Sequence, residues 1–161
     1  MMLPDPQSSP ELFDGILIRR PLAYLIDLVM LSLITFAVMV VGVIGGFFSF
    51  GLLWVALPIA LPLAIVLYYA ATLGSPARAT LGMRAIDLIL TPARGRPLNG
   101  WRILIHPLLF WVTVWIAWPV IVVVVLFTPH RQTLHDLVTG TLMVRRSPME
   151  SHWGRVARGA L

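Results

Sequence analysis

From Leu28 to Ala77 the chain has no charged side chain, an uninterrupted run of fifty residues. Cysteine is absent, which excludes disulfides, thiolate metal sites and a thiol nucleophile. Lysine is absent too, so all twelve basic residues are arginine. Charged residues make up only 12% of the chain, about half the share in a soluble domain. There is no P-loop, no HExxH zinc pair and no Ser-His-Asp order, and Gly42 to Gly46 lack the strand–helix setting of a phosphate loop. No enzyme activity and no cofactor are therefore expected.

What is present is sequence matched to hydrocarbon. Eighteen or more apolar residues read as a membrane span, and a run of fifty reads as two spans and a turn. The expected fold is an all-α membrane protein with two firm transmembrane helices. A third hydrophobic element, broken by proline, either re-enters or spans, and a small cytoplasmic strand cluster completes it. Residues 1–15 form a flexible tail, 16–146 the membrane domain and 147–161 an interfacial tail with Trp153.

Along the chain, Leu12 and Phe13 suit a short interfacial turn, and Arg19 and Arg20 mark the membrane edge. Pro21 fits a first helical turn, where its missing N–H costs nothing. Span one is placed at Leu22 to Ile44 and ended by Gly42, Gly45 and Gly46. Span two is placed at Leu52 to Leu73 and bent by Pro58 and Pro62, with Tyr68 and Tyr69 at the far interface. In the following loop, Ala85 to Leu90 reads as a strand, and Pro92 to Pro97 as a turn with Gly95 at its tip. The third apolar stretch, Ile103 to Pro129, opens with His106-Pro107 and is divided by Pro119. The rings of Trp101, Trp111, Trp115 and Trp118 are read as interfacial or lipid-facing. Arg19-Arg20 before an apolar stretch also matches a twin-arginine export signal, but Asp27 and the further membrane sequence argue against it.

The arginines orient the spans. Two precede span one and five follow span two, while the turn between carries none. The positive-inside rule then makes the N-terminus and the 74–101 loop cytoplasmic, as in a multi-pass protein of the bacterial inner membrane. If the third stretch crosses, Arg131, Arg145, Arg146, Arg155 and Arg158 lie outside; if it turns back at Pro119, they stay inside. Thr141 to Val144 has strand character and can pair with the Ala85 strand only if both lie on one side. The net charge of +5 is assigned to topology and anionic lipid rather than to nucleic acid.

Asp27 is the first candidate functional residue, because a carboxylate inside a span is expensive. Arg20 lies seven residues earlier, two helical turns and ~10.5 Å away on nearly the same face, with Tyr24 between them. Arg20 can reach inward and Arg102 can approach from another helix. Paired, Asp27 is a structural clamp; unpaired, it is a proton or cation carrier. Asp136 has two readings, a helix N-terminal cap or surface partner of Arg131, and a second member of the charge centre. His135 adjoins it, and His106 at a span entrance is first an interfacial hydrogen-bonder. His130 and His135, five apart, fit one helical face poorly, so no metal site is expected.

Three segments resemble the RDD family of small bacterial membrane proteins, named for one Arg and two Asp. These are RRPLAYLID with Arg20 and Asp27, SPARATLGMRAID at residues 75 to 87 with Arg84, and LHDLVTGTLMV at residues 134 to 144 with Asp136. Ala77, Ala79 and His106 stand where that family often has Gly, a basic residue and Arg. The resemblance implies an Arg20–Asp27–Asp136 centre, expected to converge at the cytoplasmic boundary. Cation–proton antiport has been proposed for some members, and others are fused membrane domains. Two functions are thus expected: cation or proton transport with Asp27 as exchange site, needing a homo-oligomer, or an accessory or assembly subunit of a larger membrane complex. A weaker third is a regulator reading lipid head groups.

Overall fold

The computed structural model describes residues 9–92, 100–128 and 130–157. Two long apolar helices form an antiparallel hairpin, α1 (Ile16–Phe48) and α2 (Leu52–Leu73). Both are long and apolar enough to cross a membrane, and most of their surface is left uncovered by the rest of the chain. Around the α1 N-terminus sits a small cap. It contains a 3-10 turn at Pro10–Leu12, α3 (Leu81–Ala85), β1 (Leu88–Pro92), α5 (Leu134–Thr139), β2 (Thr141–Arg145) and α6 (Arg146–Ala157). A third long helix, α4 (Gly100–Phe127), links β1 to α5.

α1 begins six residues before the expected Leu22, at Ile16 after Gly15 in the left-handed conformation. The extra turns form because Leu12, Phe13 and Ile16 are buried in the cap with the strands. They do not lie at an interface as the sequence suggested, and Pro21 is an interior residue rather than a first-turn one. Gly42, Gly45 and Gly46 do not end the helix either. They sit within it against Leu57, Leu53 and Trp54 of α2, where a Cβ would collide with those side chains. Small residues of this kind let helices approach in lipid, where no hydrophobic force drives them together. Trp54 Nε1 donates to the Val43 carbonyl at 3.1 Å and ties the same end. α2 has the expected bounds.

β1 and β2 pair antiparallel from Leu88↔Arg145 to Pro92↔Thr141, so the two segments do lie on one side. The strand starts later than Ala85, because Leu81–Ala85 is helical and Asp87 turns the chain at φ 61°. The turn expected around Gly95 falls outside the described residues. Leu88, Leu90, Leu142 and Val144 are buried together with Leu12, Ile16 and Met149. This gives the chain a compact water-excluding core outside the hairpin. Trp153 of α6 packs against it, partly buried.

α4 is helical throughout, across Pro119, yet it is not straight. A straight helix from His106 to Thr128 would cover ~33 Å. His106 Nδ1 lies 3.3 Å from Thr141 Oγ1, Gln132 Nε2 donates to the Thr141 carbonyl at 2.8 Å, and Thr128 Oγ1 donates to the Gln132 carbonyl at 3.0 Å. At full extension these links separate the two Cα atoms by at most about 27 Å. The helix therefore bends between them, in a stretch where Pro107 and Pro119 both lack the N–H that would bond four residues back. Both ends of this segment return to the cap, and His130, just beyond it, has its ring 6.0 Å from that of Phe13.

Candidate functional site

Two buried carboxylates bind the cap to the hairpin, each in its own setting. Asp27 faces inward from α1 with Ile16, Ala23 and Leu31. Its Oδ1 accepts from Tyr68 Oη at 2.5 Å and from the Gly82 N–H at 2.8 Å, and its Oδ2 accepts from Thr80 Oγ1 at 2.5 Å. Thr80 is the N-cap of α3, and the same hydroxyl accepts from the Met83 N–H at 3.1 Å. Tyr68 Oη also accepts from the Leu81 N–H at 3.3 Å. A Cβ at position 82 would strike the Ala23 carbonyl and the Asp27 carboxylate, so only glycine lets α3 press this closely on α1. Asp27 is thus held by three neutral donors, and among the described residues no arginine pairs with it. The expected Arg20–Asp27 pair does not form, and Tyr68 is a buried ligand of Asp27 rather than an interfacial ring.

Arg20 pairs with Asp136 instead. Its Nη1 lies 2.7 Å from Asp136 Oδ2, and Asp136 is wholly buried. Oδ2 also accepts from the Thr133 N–H at 3.1 Å, closing a capping box at the start of α5. So Asp136 is a cap and a member of the centre at once, and not a surface partner of Arg131. Thr141 Oγ1 lies 3.4 Å from Oδ1. His106 Nε2 and His135 Nε2 face the same oxygen at 3.7 and 3.9 Å, and the two rings meet edge to face at 4.9 Å. Arg20 Nε and Nη2 are buried without a hydrogen-bond partner among the described residues.

Burial pushes the His135 imidazole down, to about 4, against the opposing pull of Asp136, so the ring is neutral near pH 7. Burial raises Asp136, but Arg20, His135 and His106 outweigh it and hold the carboxyl below its ordinary range. The centre therefore contains an ionised Asp–Arg pair with neutral imidazoles beside it.

The other residues singled out in the sequence play supporting parts. Tyr24 stacks against Phe110 and Trp111 of α4 and so braces α4 on α1. Arg84 donates to the Ala79 carbonyl and to Ser75 Oγ, stiffening the loop before α3. Arg19 Nη1 donates to the Ile86 carbonyl at 2.8 Å, so it ties the cap as well as marking an edge. Arg102 belongs to α4, and its side chain lies outside the described residues. Sequence reasoning missed Tyr68, Thr80 and Gly82 as partners of Asp27, and Thr133, Thr139 and Thr141 around Asp136.

An apolar hairpin with a polar cap, joined through buried carboxylates at the level where the helices enter it, defines an integral membrane protein with an internal charge centre. The chain belongs to the RDD family, whose model matches residues 15–140. No curated protein and no solved structure matches it.

Proposed function

We propose that this protein is a cation- or proton-linked membrane protein, acting as a homo-oligomer, whose exchange centre is Asp136 with Arg20, His106 and His135. The observation that carries this is a fully buried carboxylate shared between one guanidinium and two imidazoles. Buried ionisable groups of this kind mark ion or proton paths in membranes. Asp27 is the poorer exchange site, because its partners are two hydroxyls and a backbone N–H, with none of the imidazoles that face Asp136. A homo-oligomer is part of this reading because two spans do not enclose a path, and most of their surface is left uncovered by the rest of the chain.

The bend of α4 supports a re-entrant placement, in which the N-terminus, both strands and α6 share one side. The arginine distribution makes that side the cytoplasm. Proton and cation flux in proteoliposomes, compared between the native chain and Asp136→Asn, tests the proposal; equal flux in the two ends it. The same exposed helix faces favour a second reading, an accessory subunit seated against a larger membrane complex. Mass spectrometry after mild-detergent extraction separates them: stoichiometric foreign subunits support the second reading, and copies of this chain alone support the first.

A further inference from the structure

The chemistry of the Asp136 centre names its cation more closely. His106 Nε2, His135 Nε2 and an Asp136 oxygen lie within 4.8 Å of one another, all three residues are buried, and they come from two separate elements, α4 and α5. The hydrogen-bond network assigns the ring tautomers. Thr113 Oγ1 donates its only proton to the Leu109 carbonyl at 2.7 Å. Toward His135 Nδ1, 3.4 Å away, it can therefore act only as acceptor, which puts the ring proton on Nδ1 and a lone pair on Nε2. Thr139 Oγ1 likewise donates to the His135 carbonyl at 2.7 Å, so at 3.3 Å it accepts from His106 Nδ1. His106 then also has a bare Nε2.

Two nitrogen lone pairs and a carboxylate oxygen thus converge with no ring proton between them. Each imidazole is fixed from behind by a threonine hydroxyl, and the carboxylate is fixed by Arg20, the outer-shell bonding that ligands of a metal ion have. Thr133 Oγ1, 2.8 Å from His135 Nε2, is a second oxygen beside the same point. Neutral imidazoles with one carboxylate suit a late first-row cation. Mg2+ and Ca2+ call for several oxygen ligands, which this pocket does not offer.

We propose that His106, His135 and Asp136 bind one divalent late first-row transition cation of the Zn2+ class. This rests on the reading of the cluster as a cation-linked centre, and its test is binding rather than flux. The full-length, tag-free protein in detergent is stripped with EDTA and titrated with ZnCl2 by calorimetry. One Zn2+ per chain is expected, retained in the His130→Ala/His152→Ala variant and lost in His106→Gln. Thr113→Val, which keeps all ligands but releases the His135 ring, is expected to weaken binding ~10- to 100-fold. Absence of binding in the native chain, or binding unchanged by His106→Gln, overturns the proposal. Should His106→Gln fail to fold, the visible spectrum of the native chain with Co2+ decides. Strong tetrahedral absorption supports the site, and the weak octahedral absorption of Co2+ in buffer refutes it. Zn2+ bound without flux leaves this inference standing while transport falls; Asp136-dependent proton flux without Zn2+ binding does the reverse.

Discussion

Replacing Asp27 by Ala strips one acceptor from three buried donors at once, the Tyr68 hydroxyl, the Thr80 hydroxyl and the Gly82 N–H. Each donor left unpaired in a buried site costs ~1–3 kcal/mol. The Thr80 hydroxyl can turn to another acceptor, so the two remaining donors set the loss at ~2–6 kcal/mol, a large part of the stability of a domain this size. Asp27→Asn keeps a carbonyl oxygen for two of the donors and turns an N–H toward Thr80 Oγ1, at a cost of ~1–2 kcal/mol. Denaturant unfolding in detergent micelles, followed by tryptophan fluorescence, measures both. Limited proteolysis of residues 75–92 gives a local readout, because α3 is held to α1 through this carboxylate. An Asp27→Ala protein within ~0.5 kcal/mol of the native chain, the range of neutral surface changes, would refute the clamp.

Further predictions follow from the same geometry. Gly82→Ala forces a methyl group into the Ala23 carbonyl and the Asp27 carboxylate and is expected to cost ~1–3 kcal/mol; an unchanged melting temperature would contradict the close packing. Asp87 caps α6 through the Ser147 N–H and hydroxyl and pairs with Arg145. Although burial opposes them, these bonds hold its carboxyl below its ordinary range. Its contribution is therefore complete above the ordinary carboxylate pKa and is lost as pH falls through the lower folded one, so acid should release α6 to proteases in the native chain and change little in Asp87→Asn. The absence of native cysteine makes topology directly readable. A membrane-impermeant maleimide should label Ser49→Cys in intact cells and Ser151→Cys only after permeabilisation, whereas labelling of both from outside would mean that α4 crosses.

Much of the architecture was legible because lipid imposes simple rules. Span two and the pairing of the two strand segments came from uninterrupted hydrophobicity and β-branched character. The partners of the charges did not. Spacing correctly put Arg20 and Asp27 on one face of α1, but two turns of rise separate them. Each is met at its own level by elements distant in sequence, Arg20 by α5 and Asp27 by Tyr68 and α3. Tyr68 looked interfacial because it lies near a span end, and that end is also the level at which the Asp27 carboxylate is buried. Thr80 and Gly82 act through a hydroxyl cap and a missing Cβ, features that carry no signal until α3 is seen against α1. His106 and His135 lie 29 positions apart (135 − 106) and meet only because α4 bends and α5 packs along it. The helix-ending reading of Gly42, Gly45 and Gly46 failed for a related reason, since a glycine that weakens a helix in water admits a neighbouring helix in lipid.

Arg20 and Asp136 answer each other within a buried centre. A double-mutant cycle of Arg20→Gln and Asp136→Asn, read by unfolding in detergent, tests this most directly. Either single change should cost ~3–5 kcal/mol because it strands a buried charge, while the pair together should cost less than the sum of the two, with a coupling above ~1.5 kcal/mol. Costs that simply add to within ~0.5 kcal/mol would mean that the two side chains do not depend on each other.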